Sequence, residues 1–239
     1  FLRVWRICDK EFMNPIIRIV GSGSTVIADG HHRTESMRRL AKETGDPRHM
    51  KIMTSLVSTL DSGLVVLPTN RAITEKSKCS KSDIAEKILR VFDTINKKSF
   101  NFNDPTNDIR ALWEWISSQI LCTGNETFFV MADNSNVWVL SYKNDTPETL
   151  RRIDTEISRE SKCPDKIDQD FTCEIAYTHD GFKDLTAIAS NEIQIAIFPP
   201  AVSATDILNK ARDGYLFPRK TTYFLPKAPA GLIMWDLNS

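Results

Sequence analysis

Apolar residues along this chain recur at two spacings, alternate positions and every third or fourth, and the changes between them predict its elements. Leu2–Ile7 and Thr25–Ala28 read as short strands, with the turn residues Gly21-Ser22-Gly23-Ser24 between them. A helix is predicted after Asp29-Gly30, because Met37, Leu40 and Ala41 fall on one face and Gly45 stands where a left-handed cap ends a helix. Lys51–Leu60 and Leu64–Leu67 predict strands joined as a hairpin at Asp61-Ser62-Gly63, with Pro68 closing the second. Helical stripes follow at Ser82–Asn96, through Ile84, Ile88, Val91, Phe92 and Ile95, and at Asp108–Cys122, through Ile109, Leu112, Trp113, Ile116 and Ile120.

Phe128–Met131 and Val137–Tyr142 flank Asp133-Asn134-Ser135-Asn136 and predict a β-hairpin. Thr146-Pro147 opens a polar helix to about Ser161. The last third alternates: strand Cys173–Tyr177, helix Phe182–Ala189, strand Ile193–Phe198, helix Ser203–Asp213 and a terminal strand Gly231–Leu237. Ser203 with Asp206 forms an acidic capping box and Gly214 caps the other end of that helix. The expected class is α+β: a strand-turn-helix part over residues 1–75, then a mixed α/β part over 76–239.

At 239 residues, 41% hydrophobic and 26% charged, the chain can bury a core. Lys plus Arg equal Asp plus Glu at 31 each, so no global positive field holds nucleic acid or an anionic membrane, and no recognisable helix-turn-helix is present. No apolar run reaches the roughly 18–20 residues that cross a bilayer. Five cysteines, an odd number without a C-x-x-C pair, fit reduced thiols in a cytoplasmic protein. Because the chain starts at Phe1, an upstream contribution to its first part is expected.

The densest candidate chemistry is Asp29-Gly30-His31-His32-Arg33. At a strand-to-helix corner the amides of the first helical turn converge on one spot, and the helix dipole favours an anion there. Gly30 permits close approach, His31 and His32 add donors, and Arg33 can grip a phosphate with two N–H groups. Asp29 beside such a cradle can hold Mg2+ or orient a hydroxyl nucleophile. The competing reading is a capped helix with a solvated basic first turn. Adjacent His31 and His32 diverge by about 100° on a helix, so they do not share a zinc ion. Phe217-Pro218-Arg219-Lys220-Thr221-Thr222-Tyr223-Phe224-Leu225-Pro226-Lys227 reads as a rigid loop whose Lys and Thr groups can reach phosphate oxygens, or as a plain surface loop. Tyr177-Thr178-His179-Asp180-Gly181 and Leu67-Pro68-Thr69-Asn70-Arg71 are strand ends, the first carrying a His-Asp pair and the second Arg71.

Together these segments resemble the family catalogued as domain of unknown function 1015, over nearly the whole chain, with Asn70 where that family usually has histidine. The first and the Lys-Thr-Thr segments also resemble the ADP-dependent free-serine kinases of the ParB/sulfiredoxin superfamily. That resemblance implies phosphoryl transfer from ADP or ATP to the hydroxyl of a small metabolite such as free serine, with Mg2+. It assigns Asp29 and His32 to catalysis and Asp29 to the metal. Gly30, His31, Arg33, Arg219, Lys220, Thr221 and Thr222 would bind the nucleotide, and His179, Asp180 and Tyr223 the substrate. Tyr223 and Phe224 stand where the serine kinases carry basic or imidazole side chains.

A second reading is a non-catalytic ParB-like nucleotide-binding switch or partner-binding module. Sulfiredoxin-type redox chemistry needs a cysteine in the phosphate turn, and residues 29–33 contain none.

Overall fold

The computed structural model describes residues 3–74, 80–123, 125–158, 175–227, 229 and 231–236. Among them are seven α-helices and two antiparallel sheets, a mixed α/β architecture. The chain divides into two compact units. One comprises Phe1–Leu64, Ala204–Tyr215 and Pro226–Ser239, the other Val65–Ser203 and Leu216–Leu225.

In the second unit, β2 (Asn70–Thr74), β3 (Asp93–Ser99), β4 (Leu121–Thr123), β5 (Glu126–Ala132), β6 (Asn136–Tyr142), β7 (Ile175–Thr178) and β8 (Ile193–Phe198) form one sheet. Its order is β3-β6-β5-β8-β2-β7, with β4 on β5. The hairpin expected around Asp133 is β5–β6, pairing Val130 with Val139, and Asp133 Oδ1 accepts from the Ser135 and Asn136 amides inside the turn. Alternate residues face opposite cores because side chains reverse at each strand position. Phe129, Met131, Ile195 and Ile197 join Ile84, Ile88, Leu150 and Ile153 of α3 (Lys81–Val91) and α5 (Thr146–Ser158). Val130, Ala132, Ala196 and Phe198 join Ile109, Leu112, Leu185 and Ile188 of α4 (Pro105–Gln119) and α6 (Gly181–Ala189). Both faces are therefore covered, which explains why these strands read as nearly continuous apolar runs.

Several expectations are corrected. The 82–96 helix stops at Phe92, whose backbone is extended (φ −114°, ψ 141°), and Ile95 lies exposed on the edge strand β3. The reason is tertiary: β6 has an open edge, and Asp93–Ser99 fills it with a register shift near Thr94. The 108–122 helix likewise yields its end to β4. Asp61-Ser62-Gly63 turns the chain but joins no hairpin, since β1 (Val65–Pro68) pairs with β9 (Thr222–Leu225). Thus part of the expected rigid loop is a strand, whereas 51–60 and 231–236 are not strands. The end of the helix expected to Ser161, the start of the strand at Cys173, and Leu237 lie outside the described residues.

In the first unit, the described residues of the strands expected at Leu2–Ile7 and Thr25–Ala28 are not strands, and no strand among that unit's described residues pairs with them. Between them runs α1 (Lys10–Ser22), opened by Asp9, whose carboxylate accepts from the Glu11 amide at 2.8 Å. Pro15 and Gly21 mask its helical pattern in the sequence. The helix α2 (His31–Thr44) follows Gly30 as expected, and Gly45 ends it in the left-handed conformation, φ 64°. The helix α7 (Ala204–Arg212) also belongs to this unit. No helix among the described residues is long and apolar enough to cross a membrane.

Candidate functional site

The sequence-derived site residues fall into two groups, one in each compact unit. In the first unit, Gly30 precedes α2 with φ 85°, a left-handed conformation costly for residues carrying a Cβ. The segment before it is not a strand, so the expected corner is a loop-to-helix corner. The helix has no side-chain cap, and its first regular backbone bond runs from the Thr34 amide to the Gly30 carbonyl at 2.9 Å. The amides at the head of α2 are thus left without a capping oxygen, the arrangement that favours an anion.

Arg33 folds back over this head: a Cβ added to Gly30 would lie 3.0 Å from its Nη2. His31, His32 and Arg33 are all exposed. Asp29 Oδ1 accepts from the Gly30 amide at 2.8 Å, and Oδ2 accepts from Lys227 Nζ at 2.9 Å. The Lys227 hydrogen bond is the main reason the Asp29 carboxyl lies below the usual carboxylate range. Lys227 was missed as a site residue; its only signal is its place at the end of the Phe217–Lys227 motif.

The second unit gathers the other three segments, the last of them up to Leu225. β1 pairs with β9, setting Pro68 opposite Thr222 and Leu67 opposite Tyr223. β2 pairs with β7, setting Asn70 opposite Thr178 and Arg71 opposite Tyr177. The His179 ring stacks on Tyr223, centroids 4.0 Å apart and planes 24° apart, and its Nδ1 lies 3.3 Å from the Pro68 carbonyl oxygen. Behind this pair, buried Asp184 accepts at Oδ2 from Asn70 Nδ2 at 2.7 Å and Thr178 Oγ1 at 2.6 Å. Burial raises the Asp184 carboxyl above its usual range, against the opposing pull of those two hydrogen bonds. Asp184 was also missed; its signal is an acid on the same helical stripe as Leu185 and Ile188. Asp180 caps α6, accepting from the Lys183 amide at 3.1 Å and pairing with the Lys183 ammonium at 3.2 Å.

Arg219 and Lys220 are exposed, Thr221 is buried and Thr222 begins β9. Lys220 has φ 54°, and Thr221 Oγ1 donates to the Pro218 carbonyl at 2.8 Å. Arg71 is fully buried and bonds the Lys220 carbonyl at 3.2 Å. Among the described residues, no three His, Cys, Asp or Glu side chains cluster as a metal site.

A family described as a protein of unknown function (DUF1015) matches residues 2–156. No curated protein matches the chain by sequence. Among solved structures, a free serine kinase point mutant in complex with AMP is similar with a TM-score of 0.50 at 13% identity, over 92% of this chain and 81% of that one. A conserved hypothetical protein from Pyrococcus furiosus has a TM-score of 0.47 at 14% identity, over 92% and 84%. At 13% identity the likeness to the free serine kinase mutant is one of fold.

Proposed function

We propose that this chain, which belongs to the DUF1015 family, binds ADP or ATP and transfers a phosphoryl group to the hydroxyl of a small metabolite, with free serine the first acceptor to test. The observation that carries this reading is the uncapped head of α2, entered through left-handed Gly30 and overlaid by Arg33. It is an anion site in chemical terms: undonated amides, a favourable helix dipole and a guanidinium. The fold shared with a free serine kinase complexed with AMP supports a nucleotide as the source of that anion.

In this reading Gly30, His31 and Arg33 bind nucleotide phosphate; within the second unit Arg219, Lys220 and Thr222 form a separate set of phosphate-reaching donors, and Thr221, whose hydroxyl is committed to the Pro218 carbonyl, shapes the turn that carries them. His179 and Tyr223 offer an aromatic surface to the acceptor, and Asp180 acts beside them while capping α6. The acceptor oxygen bonds to phosphorus as the bond from phosphorus to the leaving phosphate oxygen breaks. The hydroxyl proton passes to His32, whose imidazole can accept it at an unprotonated ring nitrogen. Asp29, held in place by its hydrogen bond from Lys227, orients the hydroxyl. The donor set fits Mg2+ arriving with a polyphosphate: one carboxylate, Asp29, would hold it while phosphate oxygens supply other ligands. Bound Mg2+ would neutralise charge on the transferring phosphoryl group.

Incubating the chain with ADP or ATP, Mg2+ and a panel of hydroxyl amino acids should give a phosphorylated product by mass spectrometry. No product across the panel overturns the kinase reading. Nucleotide-dependent dimerisation without transfer, seen by light scattering, would replace it with the switch.

A further inference from the structure

We infer that Arg71 is a positioning residue that imposes the left-handed turn at Lys220 and so sets how Lys220 and Thr222 are presented. That these groups meet phosphate rests on the functional reading above; the hold of Arg71 on the turn rests on geometry alone.

Arg71 lies in β2 with no solvent exposure. A buried guanidinium must have its donors satisfied, and those of Arg71 are shared between two tasks. Nε and Nη2 grip both oxygens of Asp154 on α5, at 3.0 and 3.2 Å. Nη1 donates to the carbonyls of Thr69, at 2.5 Å, and Lys220, at 3.2 Å. The Tyr177 ring lies 5.4 Å from the guanidinium carbon.

Simple packing does not account for this arrangement. A buried ion pair is often no more stabilising than apolar side chains of the same volume. What the guanidinium adds is direction: one residue ties a helix, its own strand end and a carbonyl 149 positions away. That carbonyl belongs to a non-glycine residue with positive φ, a conformation that crowds its Cβ. Among the described residues only Asn191 shares this feature, and asparagine tolerates it better than lysine. The turn is tied at other points too, since Thr221 Oγ1 bonds the Pro218 carbonyl and Arg151 Nη2 bonds the Leu216 carbonyl at 2.7 Å. Arg151 and Asp154 both lie on α5, so this helix reaches the turn directly through one residue and through Arg71 by the other.

The test is hydrogen exchange on the whole chain, comparing peptide 216–225 with the core hairpin peptide 126–142 in the wild type, Arg71→Lys, Arg71→Lys with Lys220→Gly, and Asp154→Asn. Lysine keeps the charge but loses the fork. Loss of a charge-assisted bond should speed exchange in 216–225 about tenfold in Arg71→Lys while 126–142 stays within about threefold. Adding Lys220→Gly should return 216–225 most of the way, because glycine takes positive φ freely. Equal acceleration in both peptides without that rescue, or none in either, overturns the proposal. Should Arg71→Lys fail to fold, Asp154→Asn decides: selective loosening of 216–225 supports it and wild-type exchange overturns it. ADP titration of the same proteins by calorimetry separates the two claims. Absence of binding by the wild type defeats the nucleotide reading while the exchange result still judges Arg71.

Discussion

Lys227 Nζ donates to Asp29 Oδ2 at 2.9 Å, joining two residues 198 positions apart at the head of α2. The pair is half-exposed, so it contributes at most about 1 kcal/mol to stability. Its effect is mainly local: it lowers an already acidic carboxyl further and fixes Asp29 while the other carboxylate oxygen accepts from the Gly30 amide.

Asp29→Asn should therefore leave the melting temperature nearly unchanged at neutral pH while lowering phosphoryl transfer at least about tenfold. The sign of its pH dependence follows from the lowered folded-state value. The stabilisation is present above the ordinary 3.8 and is lost as pH falls through the lower folded value. Melting curves of wild type and Asp29→Asn should converge in acid; a gap that widens there would refute the assignment.

Gly30→Ala should cost about 1–2 kcal/mol for the left-handed backbone. It should also displace Arg33, whose Nη2 would lie 3.0 Å from the new Cβ. Gly30→Asn should cost less, because asparagine tolerates this region. Urea midpoints rank the three proteins, and ADP titration should weaken in the same order.

Asp184→Ala should destabilise by about 1–3 kcal/mol, since the Asn70 and Thr178 donors lose their buried acceptor. Asp184→Asn retains an acceptor and removes a buried charge, so it should cost much less at pH 7. The wild-type carboxyl has a folded value above 3.8, so the native state binds this proton more tightly. Its contribution to stability should fall as pH rises from 3.8 through the folded value, then level off. Asp184→Asn should lack that slope, which urea titrations at several pH values would show.

Gly181→Ala should destabilise by about 1–3 kcal/mol through overpacking. A Cβ there would come 2.1 Å from Trp113 Cζ3 on α4. Trp113→Leu in the same chain should recover part of the loss, measured by thermal denaturation; equal melting temperatures for wild type and Gly181→Ala would contradict the packing.

The sandwiched sheet was legible because its signals are local and agree with one another. Val130, Val139 and Ile195 sit in apolar runs bounded by turn residues, and the stripes through Ile88 and Ile116 have helical spacing. The Gly30 and Gly45 positions at the two ends of α2 were legible because glycine marks positive φ. By contrast, Ile95 has the right spacing to extend α3, yet it pairs onto β6 because an open strand edge outweighs helix continuation. α1 escaped because Pro15 and Gly21 weaken its local preference.

The residues alone therefore determined which segments bury apolar faces and where glycine ends a helix, since both depend on side-chain type at short spacing. Only the tertiary structure decided which distant segments meet. It paired β1 with β9, set Tyr223 against His179, hid Asp184 beneath Asn70 and Thr178, and fastened Lys220 to Arg71. Such meetings depend on chain closure over long separations and on shapes complementary across several elements, and neither leaves a periodic trace in the sequence.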